Sequence, residues 1–364
     1  MSAERKDDHV RLVAEQHSGA PRRNGFDDVS FVHHALAAID EQRVDLGVDV
    51  AGTRWASPIY INAMTGGSVA TGRINRALAI AARETDTPIA SGSVSAALSD
   101  PAVASTFAVI REENPDGFVM ANIGVERSPD DARRAVDLLQ ADALQIHLNA
   151  VQETVMPEGR RAFDRWESSL AALLDAVDVP VIVKEVGFGL SARTLSDLGA
   201  LGVGYADVSG SGGTDFARVE NARRSVGDLA FLTGWGQSTV ECLLDVPEDA
   251  PVVLASGGVR SPLDVVRALA LGARAVGVSG PFLKTVLDAG SEGLASRIRE
   301  WTDQTSALLA LLGADSPPAL LATDLIVRGA TAEYCRARGI DVTALSRRST
   351  ASLDHSAERT PDDH

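Results

Sequence analysis

The densest run of reactive side chains is Gln145-Ile146-His147-Leu148-Asn149, followed at once by Gln152 and Glu153. Side chains alternate along a strand, so Gln145, His147 and Asn149 share one face and Ile146 and Leu148 the other. An amide beside a carboxylate can bind a polar substrate and, through oxygen, a hard cation such as Mg²⁺. A hydrogen-bonded cluster that merely closes the top of a barrel has the same signature. Neighbouring runs repeat the design: Phe118, Met120 and Asn122 share a face, as do Ile182 and Lys184. Lys184 at a strand end is solvated, paired with an acid such as Glu185, or set against a ligand. A further run ends in Asp207 and Ser209 and enters Gly210-Ser211-Gly212-Gly213-Thr214, which can offer amides and hydroxyls to an anion.

Two later loops point to phosphate. Ser256-Gly257-Gly258-Val259-Arg260 is followed directly by a helix start, and Gly277-Val278-Ser279-Gly280-Pro281 closes the last apolar run. Glycine lets backbone N–H groups approach phosphate oxygens, and a helix N-terminus favours their charge. Ala63-Met64-Thr65-Gly66-Gly67-Ser68 and Ala90-Ser91-Gly92-Ser93 add small polar ends elsewhere. Together they suggest a ligand spanning a whole barrel mouth. A flat flavin lying across the first five strands, with its phosphate at the last two, fits that distribution. Lys184 near the pyrimidine side would stabilise negative charge on a reduced ring.

Positioning these residues requires repeated strand–loop–helix units. Apolar runs at 58–65, 88–93, 117–124, 143–149, 179–186, 205–210, 251–258 and 275–280 each end in Gly, Ser, Asn, Thr or Val. Amphipathic segments such as 129–139 and 262–271 separate most of them, two announced by Ser-Pro followed by an acid. Eight such units predict an α/β chain folded as a (β/α)₈ TIM barrel, whose site lies at the strand C-termini. A doubly wound open sheet is the structural competitor. The expected organisation is an N-terminal extension over 1–56 that closes over the site, a barrel with C-terminal helices over 57–345, and a disordered polar tail over 346–364. The stretch 210–251 is too long for one βα unit and predicts an excursion.

Composition sets limits. A formal charge of −16 argues against nucleic acid or an anionic membrane as partner. Cys242 and Cys335 are far apart, which suits a reducing cytoplasm rather than a disulfide framework. The first residues lack the apolar run of a signal peptide, and no segment reads as membrane-spanning.

Several motifs, taken together, resemble the type 2 isopentenyl-diphosphate Δ-isomerase family. They are Arg5-Lys6-Asp7-Asp8-His9, Met64-Thr65-Gly66-Gly67, Gly92-Ser93, Ala121-Asn122-Ile123-Gly124, Gln145–Asn149 with Gln152-Glu153, Val183-Lys184-Glu185, Gly212-Gly213-Thr214 and Ser256–Arg260. The resemblance spans residues 5–340. It implies interconversion of isopentenyl and dimethylallyl diphosphate in isoprenoid biosynthesis, with FMN, Mg²⁺ and NADPH to keep the flavin reduced. It implies that Gln152 takes part in proton transfer, that Glu153 holds Mg²⁺, and that His147 and Asn149 line the substrate site. Arg5 and Lys6 would close over the diphosphate, with Ser93, Val94 and Ser95 also at the substrate. Ala63, Met64, Thr65, Gly66, Ser93, Asn122, Lys184, Ser209, Thr214, Gly257, Gly258, Arg260, Ser279 and Gly280 would carry FMN. Members of this family assemble as tetramers or larger homo-oligomers.

Three positions depart from the family's pattern. Val94-Ser95 stands where a larger polar or Met residue and then Arg are usual, removing a cation from the diphosphate. Thr214-Asp215 replaces Thr-Asn, and Gly159-Arg160 replaces Gly-Asp. Rival readings are a hydroxy-acid oxidase, a nucleotide dehydrogenase and a non-catalytic phosphate-binding barrel. The first would need a His–Arg pair after strand seven. The second would need a nucleophilic Cys in a Gly-rich loop, whereas Cys242 lies in a helix-like stretch.

Overall fold

In the computed structural model, residues 3–17, 19 and 22–350 are described, with side chains from Lys6 onward. Eight parallel strands close into a barrel: β1 (Ile59–Ile61), β2 (Ile89–Ala90), β3 (Val119–Gly124), β4 (Ala143–His147), β5 (Val181–Lys184), β6 (Tyr205–Asp207), β7 (Val252–Ser256) and β8 (Val276–Val278). Pairing of β8 with β1, Val276 opposite Ile59, completes the ring and rules out the open sheet. All eight fall within the apolar runs read from sequence.

Alternation sorts the strand residues into two cores. Ile59, Ile61, Ile123, Leu144, Ile146 and Val183 face outward and pack under the helices. Tyr60, Met120, Ile182 and Leu254 fill the barrel interior. Gly277 leaves room for Tyr60, since a Cβ there would lie 2.6 Å from its ring. The antiparallel hairpin Val48–Val50 and Thr53–Trp55 plugs the N-terminal end. Its Trp55 stacks against Tyr60 at 5.7 Å and Phe118 at 5.3 Å between ring centroids.

The helices start where the caps predict. Ser128 forms a capping box with Asp131 before Pro129–Leu139, and Ser261 caps Pro262–Ala270. The excursion after β6 holds helices Phe216–Ala222 and Thr239–Leu244. The C-terminal region is not wholly helical: Leu325–Val327 pairs antiparallel with Val29–Phe31 and ties both ends of the chain together. The polar segment expected to be disordered from 346 is folded in its first residues. Ser349 there donates to Asp324 at 2.8 Å, and Arg348 reaches the Ala270 carbonyl at 2.7 Å. Residues 351–364 lie outside the described residues. An N-terminal helix, α1 (Ala3–Gln16), crosses the opposite, C-terminal end of the barrel.

Candidate active site

Strand register decides which polar side chains meet inside the barrel. Asn122 lies beside Gln145, His147 beside Lys184, and Lys184 beside Asp207. Asp207 is buried but satisfied. Tyr60 Oη donates to it at 2.9 Å, Asn62 Nδ2 at 3.0 Å, Ser256 Oγ at 2.8 Å and Ser209 N at 3.1 Å. Polarity continues from there. Gln145 Nε2 lies 3.4 Å from Asn62 Oδ1, and Asn122 Nδ2 donates to Gln145 Oε1 at 3.1 Å.

His147 Nδ1 sits 2.9 Å from Asn122 Oδ1. Because the Asn122 amide nitrogen already serves Gln145, its oxygen accepts, so His147 carries its proton on Nδ1 and a lone pair on Nε2. Burial at the cleft floor, with the added charges of Lys184, Lys6 and Arg127, pushes the His147 pKa down to about 3. The imidazole is therefore neutral at ordinary pH.

Lys184 is buried and its pKa is lowered by desolvation, against the pull of Asp207 and Glu185. It is 5% exposed, and Nζ donates to the Glu185 backbone carbonyl at 2.6 Å rather than to the Glu185 carboxylate. That carboxylate instead accepts from the amides of Val186, Gly187 and Phe188 at 2.6 Å, 2.8 Å and 2.6 Å, and shapes the loop after β5.

Gln152 and Glu153 stand on the short helix Ala150–Val155, directly after β4. Gln152 Nε2 donates to Glu220 Oε1 at 2.8 Å, leaving Oε1 towards Asn149 Nδ2 at 3.4 Å. Glu220 is a residue of this cluster that sequence reading missed. It is fully buried, pairs with Arg223 through its other oxygen, and lies 3.1 Å from His9 Nε2 on α1. Burial alone would raise its pKa, but His9, Gln152 and Arg223 outweigh that and hold it at about 2. The only hint in the sequence is an acid on the apolar side of an excursion helix. Glu153 is gripped by the Gly159-Arg160 turn, whose Arg160 N donates to Oε2 at 2.7 Å. Gly159 has to be glycine, because a Cβ would lie 1.8 Å from the Glu153 carbonyl.

These residues line a cleft of about 890 Å³ at the strand C-termini. The structure brings into it Ala63, Met64 and Thr65 from the β1 end, Ser93 and Ser95 after β2, Asn122, His147, Asn149, Gln152, Glu153 and Lys184. Ser209, Thr214, Gly257, Gly258, Arg260, Ser279 and Gly280 complete the rim, with Lys6 above. Two expected residues are not brought there. Gly66 turns against the Phe107 ring, 2.1 Å from where its Cβ would be, and Val94 is buried in the outer core. The Arg5 side chain lies outside the described residues.

The glycine loops form a cradle suited to a flavin phosphate. A Cβ on Gly257 would lie 2.1 Å from the Gly210 carbonyl, and one on Gly213 2.7 Å from Gly258 N. The backbones thus pack directly on each other, and Asn24 clamps them by donating to Gly258 O at 2.8 Å and Gly212 O at 3.3 Å. Thr65 Oγ1 and Asn149 Oδ1, both on the cleft wall, are buried with no protein partner. Arg260 is less open to an anion than its position suggests. Its guanidinium bonds both Asp27 oxygens at 2.8 Å and Asp264 at 3.0 Å.

Helix α1 is strapped across the rim. Ser68 Oγ donates to Asp7 at 2.5 Å, and His17 Nε2 lies 3.1 Å from Thr214 Oγ1. Gln16 exchanges two hydrogen bonds with the backbone of Asp215, at 3.2 Å and 3.0 Å. Asp215 in turn caps Phe216–Ala222, which accounts for an acid there. Cys242 is buried within its helix, and burial pushes its thiol up, away from nucleophilic use.

A family model described as FMN-dependent dehydrogenase matches residues 119–327. A protein of Kitasatospora griseola named isopentenyl-diphosphate delta-isomerase is 59% identical over 99% of this chain and 98% of its own length. One of the same name from a Streptomyces species is 58% identical, covering 96% of each chain. A third, from Staphylococcus haemolyticus, is 46% identical over 93% of this chain and 97% of its own. Among solved structures, a mandelate oxidase variant with an FMN monooxide adduct superposes with a TM-score of 0.62 at 21% identity, over 88% of this chain and 92% of that one. At that identity the likeness speaks for the barrel alone. The sequence relatives, matched nearly end to end, speak for more: the chain belongs to the isopentenyl-diphosphate delta-isomerase family, on a barrel of the FMN-dependent dehydrogenase type.

Proposed function

We propose that the protein interconverts isopentenyl and dimethylallyl diphosphate with reduced FMN. The observation that carries this reading is one cleft with a glycine cradle on one wall and the Gln152–Glu153 pair on the other. Moving a double bond requires a proton added at one carbon and removed at another, without net oxidation. Reduced FMN, when bound, supplies the group beside the alkene that exchanges the proton and tolerates cationic charge.

The chain's own residues arrange that exchange. Glu220 fixes the Gln152 amide so that one face of it meets the substrate. His147, neutral and proton-bearing only on Nδ1, lines the site without adding charge. Lys184, dry and close to Asp207 in register, offsets negative charge on the reduced ring. Gly257, Gly258, Ser279 and Gly280 hold the FMN phosphate through backbone donors.

Glu153 is the residue that would hold Mg²⁺. Among the described residues there is no group of three His, Cys, Asp or Glu that could cage a metal. A single carboxylate suits Mg²⁺ that also binds substrate phosphates, which is its usual habit. Lys6 and α1 close the mouth over the diphosphate. NADPH reduces the flavin. No helix among the described residues is long and apolar enough to cross a membrane. The place of action in this reading is the cytoplasm, which suits the two free cysteines, Cys242 and Cys335. Assembly as a homotetramer or larger, the remaining part of this reading, would cover exposed apolar side chains such as Phe231 and Trp235 on the excursion after β6.

The test is turnover of isopentenyl diphosphate by the FMN-loaded, reduced protein with Mg²⁺. Isomerisation is expected, and Glu153→Gln should need more Mg²⁺ to reach half-maximal rate. Absence of product with fully reduced flavin would refute the function and leave the fold standing.

A further inference from the structure

The cations around the cleft are unequally available. Arg260 is held by Asp27 and Asp264, Lys184 by the Glu185 carbonyl at 2.6 Å, and Lys284 by Asp288 at 2.5 Å. Arg127 differs from these. It follows β3 by three residues and lines the cleft beside Ser93, Ser95 and His147. Its Nε is buried and has no hydrogen-bond partner. The nearest acids, Glu126 at 3.5 Å from Nε and Asp131 at 3.9 Å from the guanidinium, are close enough to attract but not to satisfy it. Glu126 also folds back over Gly124, where a Cβ would lie 2.1 Å from its carboxylate. On the same cleft wall Ser93 Oγ donates to Ser95 Oγ at 3.0 Å, which leaves the Ser95 hydroxyl hydrogen as a donor without charge.

A guanidinium only 24% exposed, held loosely by its two acids and with the neutral Ser95 donor on the same wall, suits an oxyanion that can take a fork of two hydrogen bonds. The wall it occupies is the one opposite the glycine cradle. Resting on the function proposed above, we infer that Arg127 binds the substrate diphosphate, supplying the positive charge that Ser95 does not.

The experiment uses the full-length, FMN-loaded protein with Mg²⁺. It compares wild type, Arg127→Gln and Arg127→Lys by KM and kcat for isopentenyl diphosphate and by calorimetric titration with inorganic pyrophosphate. In Arg127→Gln, KM and the pyrophosphate Kd should each rise about 10- to 100-fold, with kcat and FMN content nearly unchanged. Arg127→Lys keeps the charge but loses the fork, so it should recover part of the affinity. Unchanged KM and Kd in Arg127→Gln, or losses matched by lost FMN, would overturn the inference. Should Arg127→Gln fail to fold, Arg127→Lys decides, since a pyrophosphate Kd equal to wild type contradicts a bidentate contact. If wild type does not isomerise isopentenyl diphosphate, the proposed function fails, while the pyrophosphate titration still judges Arg127.

Discussion

Gln152 and His147 sit in the same cleft, and their surroundings give them opposite tasks. Gln152 is aimed by a buried carboxylate at 2.8 Å, so its value lies in reach and orientation. Gln152→Asn shortens the side chain by one methylene and withdraws it from the substrate. Turnover should fall about 100-fold while FMN affinity stays at the wild-type level, as read by stopped-flow assay and flavin fluorescence. His147 instead affects how the fold responds to acid. Its pKa is about 3 in the folded protein against an ordinary 6.5, so between these values only the unfolded chain takes up the proton. Its contribution to stability is therefore complete above about pH 6.5 and is lost as pH falls towards about 3. His147→Gln should flatten that part of the stability–pH curve in denaturant titrations. An unchanged slope would mean that the imidazole titrates normally.

At the scale of elements, the phosphate cradle depends on a residue outside the barrel. Asn24 caps the turn Gly25–Asp28 and also holds the carbonyls of Gly212 and Gly258. Asn24→Ala should cost about 1 kcal/mol of stability through the lost cap. It should also weaken FMN binding about tenfold by loosening two loops at once, which flavin titration would detect. The barrel strands were legible from sequence because most join a short apolar run to small polar residues, a pattern that local chemistry imposes. Inward-facing Asn122, His147 and Lys184 followed from period two alone. Glu220 did not, because its burial comes from how an excursion helix docks onto Gln152 and α1. Nor did the pairing of Val29–Phe31 with Leu325–Val327: strands of three residues carry no periodicity, and the partners lie nearly a chain length apart. Arg260 was misleading for a similar reason, since Asp27, far away in sequence, meets its guanidinium.

Across the whole molecule, the two ends of the barrel are built for different purposes. The C-terminal end gathers polar groups, while the N-terminal end is sealed by a hairpin whose Trp55 is 2% exposed. Trp55→Ala should therefore cost about 3–5 kcal/mol of folding stability. KM for isopentenyl diphosphate should not move in the protein that remains folded. A shifted KM would show that the plug and the mouth are coupled through the interior layer of Tyr60 and Met120.

The line of contacts from Asp207 through Asn62, Gln145 and Asn122 to His147 has a sense of direction. Asp207 can only accept, so each amide has to turn its nitrogen towards it and its oxygen away. Reversing any one of them would set oxygen against oxygen on one side and hydrogen against hydrogen on the other. The series therefore has one permitted state rather than two. An acid at the end of one strand determines which nitrogen of an imidazole, across the lumen, bears its hydrogen. Information in this barrel thus runs sideways, through the hollow that the strands enclose, and not along any of them.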